Sequence, residues 1–235
     1  MAGTTETQLR ALVGAMHLRH RFLGVFDKSF PGFLSPLRPC SAIVNTGSRR
    51  SGGMHWIGFA YEPRSRTCYM FDPFGWSDRQ LWELYRVKYD AMLRRTGLAQ
   101  ADRCVTLVRS TQAVQCPCSA ACGLFSALFV ASFDRYPQKP MDGNPIIDTV
   151  VGVSHQHLHS PPFVQVLHRN QERLYLWFAQ NNYYFRAHAA ELERETALYA
   201  LPDAHLDGSD KASAAVSTPR DDAEKNDTSS KTVVS

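Results

Sequence analysis

The sequence predicts an α+β domain over residues 1–201, followed by an unstructured polar tail over residues 202–235. Three observations carry that prediction. Stretches with helical and with strand-like periodicity do not alternate regularly, which argues against a doubly wound sheet. Two strand-like runs stand together around a turn, between stretches that open on helix-capping signals. With 44% hydrophobic and 11% aromatic residues in a chain of 235, one substantial core can form.

In chain order, Thr5 and Gln8 make a capping box ahead of "LRALVGAM", so a helix starts there. "HWIGFAYEPRSRTCYMFDPFG" reads as a β-hairpin around a turn at Glu62 to Arg66. Ser77 and Gln80 make a second capping box before "LWELYRVKYDAMLRRTG". There Leu81, Leu84, Tyr85, Tyr89, Met92 and Leu93 recur at helical spacing, and Gly97 supplies a stop, so one helix is expected. "CVTLVRS" at 104–110 reads as a strand, and "AACGLFSALFVASF" as a helix buried in the core. That apolar run falls short of the ~20 residues of a membrane span. "RNQERLYLWFAQNN" and "AAELERETALYA" give two further helices. From Pro202 on, the chain has no aromatic residue and is rich in Ser, Asp, Ala and Thr, too little apolar area to offset the entropy of ordering.

The net charge of +4 is unevenly spread. Four basic against seven acidic side chains give the tail −3, which leaves +7 on residues 1–201. A basic body suits a polyanion such as nucleic acid, and equally an ordinary soluble surface. The first residues lack a basic segment followed by an apolar one, so a protein that is not secreted is expected. Six cysteines in such a chain point to reduced thiols, metal binding or catalysis rather than a disulfide framework.

Cys116, Cys118 and Cys122 fall within seven positions. A structural zinc site needs a second close ligand pair, which Cys40, Cys68 and Cys104 do not provide; "HQHLH" (His155, His157, His159) has no recognised spacing to the first pair. No metal is therefore expected. Pro117 breaks regular structure, Ser119 offers a cap, and Cys122 enters the first turn of the apolar helix. Unpaired N–H groups and the macrodipole favour an anion there and lower a thiol's pKa. Cys122 is thus the best-placed nucleophile, against the alternative of a small buried hydrophobe.

A catalytic thiol needs a base, and the base needs an orienting group. His55 stands at the start of the first hairpin run and Asp72 near the end of the second. With an even number of residues in the turn, facing residues have indices with an odd sum, as 55 and 72 do, and the two side chains share a face. An odd turn would separate them. Gln115, seven residues before Cys122, can bring an amide to join the Cys122 N–H as oxyanion donor.

Several segments then resemble one family of viral cysteine endopeptidases, the adenovirus maturation proteases. They are "FPGF", "AIVNTGSRRSGGMHW", "CYMFDPFG", "DRCVTLVRSTQAVQ", "SAACGLF", "PMDGNP" and "RNQERLY", in order from about residue 6 to about 200. The resemblance implies a cysteine-protease fold with a central mixed β-sheet flanked by helices and the nucleophile at a helix N-terminus. It assigns His55 as base, Asp72 as its carboxylate, Gln115 to the oxyanion hole and Cys122 as nucleophile, the four residues chosen above. It further implies that Cys104 forms a disulfide with an activating peptide from the C-terminus of the capsid protein VI precursor. Viral DNA, bound without sequence preference, is the second implied cofactor. Implied substrates are viral precursor proteins cut after apolar-x-Gly-Gly, or before Gly in apolar-x-Gly-x-Gly, in the virion and host nucleus late in infection. Cys116 and Cys118 depart from the family loop and leave local disulfides or metal inhibition open. The tail also extends past the usual end, and its "LDGSD" lacks the last Gly of a cleavage motif, so poor autocatalytic removal is expected. Two other readings stand beside this one: an isopeptidase of ubiquitin-like proteins, and a basic zinc- and nucleic-acid-binding packaging protein.

Overall fold

The computed structural model describes residues 3–34, 37–48, 50, 54–96 and 105–198, together with the backbone of 229–234. Gly97 and Cys104 lie outside the described residues, as does the tail from 199 to 228.

Six strands form one mixed sheet in sequence order: β1 (Arg21–Phe26), β2 (Cys40–Asn45), β3 (Trp56–Glu62), β4 (Thr67–Phe71), β5 (Val105–Ser110) and β6 (Ser229–Val234). β1–β2 and β4–β5 pair parallel and the other neighbours antiparallel, which makes the architecture α+β with a mixed sheet, as expected. β3 is buried along its whole length, because both of its faces carry apolar side chains into a core. Trp56 and Ala60 point to one side, where α1 (Glu6–Gly14), α4 (Cys122–Arg135) and α5 (Pro161–Asn181) pack. Ile57, Phe59 and Tyr61 point to the other, against Phe30, Phe33, α2 (Asp78–Tyr85) and α3 (Asp90–Arg95). α6 (Tyr183–Ala187) and α7 (Ala189–Glu195) complete the first layer.

Both capping boxes form, at Thr5 with Gln8 and at Ser77 with Gln80. The expected single helix after Ser77 is two helices. Arg86 takes the left-handed conformation (φ 55°) and its N–H returns to the carbonyls of Leu81 and Trp82, which closes α2 at Tyr85, well before Gly97. Leu84, placed on the core face by periodicity, is 51% exposed. β1, β2 and α6 carry no signal in the sequence reading; β2 is buried at every position and so lacks alternation. The reading of an unstructured tail over 202–235 did not include β6, whose backbone runs antiparallel along β5.

α4 is buried from Cys122 through Asp134, so it needs close neighbours on every side. At its second residue a Cβ would stand 1.9 Å from Thr4 Oγ1, 3.0 Å from Leu9 and 3.1 Å from Trp56, so only Gly123 admits the N-terminal segment against the helix. Trp56 Nε1 donates to Thr4 O at 2.9 Å and fixes that approach. Overpacking of this kind costs about 1–3 kcal/mol. Gly123→Ala is therefore expected to lower Tm by roughly 2–12 °C in a domain of this size; calorimetry giving an unchanged Tm would contradict this packing.

Candidate active site

The hairpin sets the geometry. Glu62 faces Thr67 and Gly58 faces Phe71, so the turn holds four residues and facing indices sum to an odd number. His55 and Asp72 extend this register from the two strand ends on the same face, offset by one pleat. Their side chains meet: His55 Nε2 donates to Asp72 Oδ1 at 2.7 Å, with both residues only 1% exposed.

Asp72 opens a tight turn that holds its carboxylate in place. Oδ1 also accepts from Phe74 N at 2.9 Å, and Oδ2 from Trp76 N at 3.1 Å. Its backbone is tied to β5 through Ser110 Oγ, which accepts from Asp72 N and donates to Asp72 O, each at 2.9 Å. Gly75 closes the turn at φ +62°, with the Gln112 backbone 2.6 Å from where a Cβ would be.

The His55 ring is held between Phe74 and Tyr85, with centroids 4.9 and 5.3 Å away. Burial by itself disfavours the imidazolium. The Asp72 carboxylate, and after it the Cys122 side chain, outweigh burial and hold the His55 pKa up at about 10. Since Nε2 is committed to Asp72, Nδ1 is the nitrogen left for the thiol; it is buried and has no other hydrogen-bond partner among the described residues. The imidazole is thus oriented by a carboxylate on one side and opposed to a cysteine on the other.

Cys122 is the first residue of α4 and is buried at the inner end of the cleft. The cap position is Ala121, which has no capping side chain, so Ser119 does not cap the helix as the sequence suggested. Ser119 Oγ instead accepts from Ala121 N at 3.2 Å and donates to Gln171 Oε1. The first-turn N–H groups have no intrahelical acceptor by helix geometry and are left to face an anion. Gln115, also buried, donates from Nε2 to Ser119 O at 2.8 Å. That bond fixes the amide with its nitrogen towards the loop and leaves a second N–H.

The loop bearing Gln115 is clamped from two sides that motif reading missed. Pro73 O accepts from Val114 N (2.9 Å) and Gln115 N (3.2 Å), so the turn that carries Asp72 also holds the loop that bears Gln115. On the other side, Asn170 Nδ2 of α5 donates to Val114 O at 2.9 Å, and Gln171 meets Ser119. These contacts join residues 41 to 56 positions apart and leave no local pattern in the sequence.

The remaining sequence-level candidates separate. Cys116 and Cys118 are joined in a disulfide. The "HQHLH" histidines do not converge on them: His155 packs at a tilt against Trp76 and donates to Phe74 O at 2.7 Å, and His157 stacks on Phe163. Cys40 and Cys68 are buried in the second core, and desolvation pushes both thiols up, Cys40 to about 12. Cys104, assigned by resemblance to an interchain disulfide, lies outside the described residues.

His55, Gln115 and Cys122 line a cleft of about 890 Å³. Met54, Trp76, Tyr85 and the exposed Leu84 give it apolar walls. Among the described residues no helix is long and apolar enough to cross a membrane.

The family described as adenovirus endoprotease matches residues 22–200. The protease of Fowl adenovirus A serotype 1 (strain CELO / Phelps) is 74% identical over 206 residues, covering 88% of this chain and all of the relative. That of Avian adenovirus 8 (strain ATCC A-2A) is 73% identical over 205 residues, 87% of this chain and all of the relative. The protease of Human adenovirus B serotype 3 is 50% identical over 195 residues, 83% of this chain and 93% of its own length. A match over most of the chain means that this chain belongs to the adenovirus endoprotease family.

Proposed function

We propose that the protein is a thiol endopeptidase that cleaves viral precursor proteins during virion maturation. The observation that carries this reading is the buried His55–Asp72 bond beside Cys122 at the first turn of α4. The Cys122 thiolate attacks the scissile carbonyl and His55 protonates the leaving amine. Asp72 keeps the imidazole oriented and charged, while the Cys122 N–H and the free Gln115 N–H hold the oxyanion. Positioned acid–base transfer contributes about 10²–10⁴-fold.

The substrates proposed are chains cut after apolar-x-Gly-Gly, or before Gly in apolar-x-Gly-x-Gly. Support comes from the apolar walls of the cleft, which suit the apolar position, and from family membership. The same reading extends to activation by a peptide from the capsid protein VI precursor, disulfide-linked at Cys104, and by viral DNA on the +7 body. Action in the virion and host nucleus belongs to this proposal. Isopeptidase action on ubiquitin-like proteins is the enzymatic alternative; incubation with such conjugates and with a viral core precursor separates the two.

Cys122→Ala should abolish cleavage of a viral precursor while leaving Tm within a few degrees of wild type; turnover by that variant at the normal rate would refute the nucleophile.

The pH behaviour follows from the raised His55 pKa. A raised folded-state pKa stabilises the fold fully below the ordinary imidazole value, and the contribution fades as pH rises through about 10. Activity that needs imidazolium should keep its alkaline limb near that pH. Asp72→Asn removes the larger favourable influence, so the limb should move to lower pH and kcat/KM should fall by about 10²–10⁴-fold; an unmoved limb would count against the pairing.

Peptide activation should disappear in Cys104→Ala while DNA activation persists, read in a cleavage assay with each added alone. Undiminished peptide activation would remove the covalent tether.

A further inference from the structure

The oxyanion loop carries a second set of donor atoms that the proposed reaction does not use. Cys116 Sγ, Cys118 Sγ and one ring nitrogen of His168 all lie within 4.8 Å of one another, and Cys118 Sγ is 3.3 Å from His168 Nε2. Both sulfurs are buried in a small apolar cluster with Ala113, Val153, Leu158 and Leu167, and His168 is half-buried on α5. Cys118 N donates to Cys116 Sγ at 3.2 Å, a bond that favours thiolate at Cys116 once the disulfide is open.

We propose that Cys116, Cys118 and His168 form a zinc site when the Cys116–Cys118 disulfide is reduced. Zinc takes sulfur at about 2.3 Å and imidazole nitrogen at about 2.0–2.1 Å in tetrahedral array, which sets S···N near 3.5 Å and S···S near 3.8 Å. The Cys118 Sγ to His168 Nε2 separation of 3.3 Å already fits, so the closure left to make is at Cys116 Sγ, which must part from Cys118 Sγ and lies within 4.8 Å of the ring nitrogen. Charge supports the same metal. Two thiolates and one neutral imidazole around Zn²⁺ sum to zero, which an apolar cluster tolerates, whereas two bare thiolates there would be costly. His168 reaches the cysteines from α5, the helix that also holds Val114 and Ser119, so the ligand helix is already seated against the loop.

The chemistry balances in two steps. A dithiol reductant gives two electrons and two protons to the S–S bond, yielding two protein thiols and its own disulfide. Zn²⁺ then displaces both thiol protons to solvent and takes the lone pair of His168 Nε2, with the fourth position left to water. Pro117, between the two ligands, lines the catalytic cleft, and Gln115 precedes them. Metal occupancy therefore bears directly on the loop that carries the oxyanion amide.

The test uses the full chain as Cys122→Ala, which removes the competing Cys122–His55 pair, and titrates Co²⁺ followed by Zn²⁺ displacement. The reduced chain should develop a thiolate-to-cobalt charge-transfer band saturating at one equivalent and lost on adding zinc. The oxidised chain should not, nor should the reduced chain carrying Cys116→Ser and Cys118→Ser. His168→Ala should weaken binding at least about tenfold, the lower limit for losing even an outer-shell partner. Because serines in the buried cluster risk the fold, the half-buried His168 variant serves as the independent arm. Any of three results overturns the site: no stoichiometric cobalt band in the reduced chain, a band that survives both serines, or affinity indifferent to His168.

Discussion

The active site depends on the register of one hairpin. Four residues between Glu62 and Thr67 bring His55 and Asp72 to one face, and a turn of one residue more or less would put them on opposite sides of the sheet. Everything else in the site attaches to the end of that hairpin. The turn after Asp72 supplies both N–H groups that bind its carboxylate, and the carbonyl of its first residue, Pro73, accepts from the loop that carries Gln115. His55, Asp72 and Gln115 are therefore positioned by a few consecutive backbone groups, with Cys122 delivered by α4.

Burial makes this arrangement work as an ion pair. An imidazolium removed from water is disfavoured, and here Asp72 more than compensates, which leaves His55 charged well above the pH at which a free imidazole loses its proton. The rings of Phe74 and Tyr85 exclude water from both faces of the imidazole and fix its plane, so the pair interacts at low dielectric. The first turn of α4 adds unpaired N–H groups where negative charge is needed. Gly123 is part of the same design: without a side chain there, the N-terminal segment and Trp56 press against the helix just behind the nucleophile.

That His55, Asp72, Gln115 and Cys122 lie together was legible because each obeys a local rule: a position in a helix first turn, a parity in a hairpin, a short distance along the chain. The two capping boxes were legible for the same reason. What escaped is non-local. The break between α2 and α3 turns on Arg86 adopting a left-handed conformation that periodicity does not register. β2 hides because burial on both faces erases alternation, and the α5 clamp through Asn170 and Gln171 joins segments about fifty residues apart. The cysteine pair was recognised, but its histidine was sought in "HQHLH", close in sequence, when α5 supplies His168.

The Asp72 carboxylate at 2.7 Å is expected to keep His55 protonated at neutral pH. Nitrogen NMR of the His55 ring, followed across pH in the wild-type chain, tests this most directly. Both ring nitrogens are expected to remain protonated from neutrality up to about pH 10. A neutral His55 imidazole at pH 7, titrating near the ordinary histidine value, would contradict it.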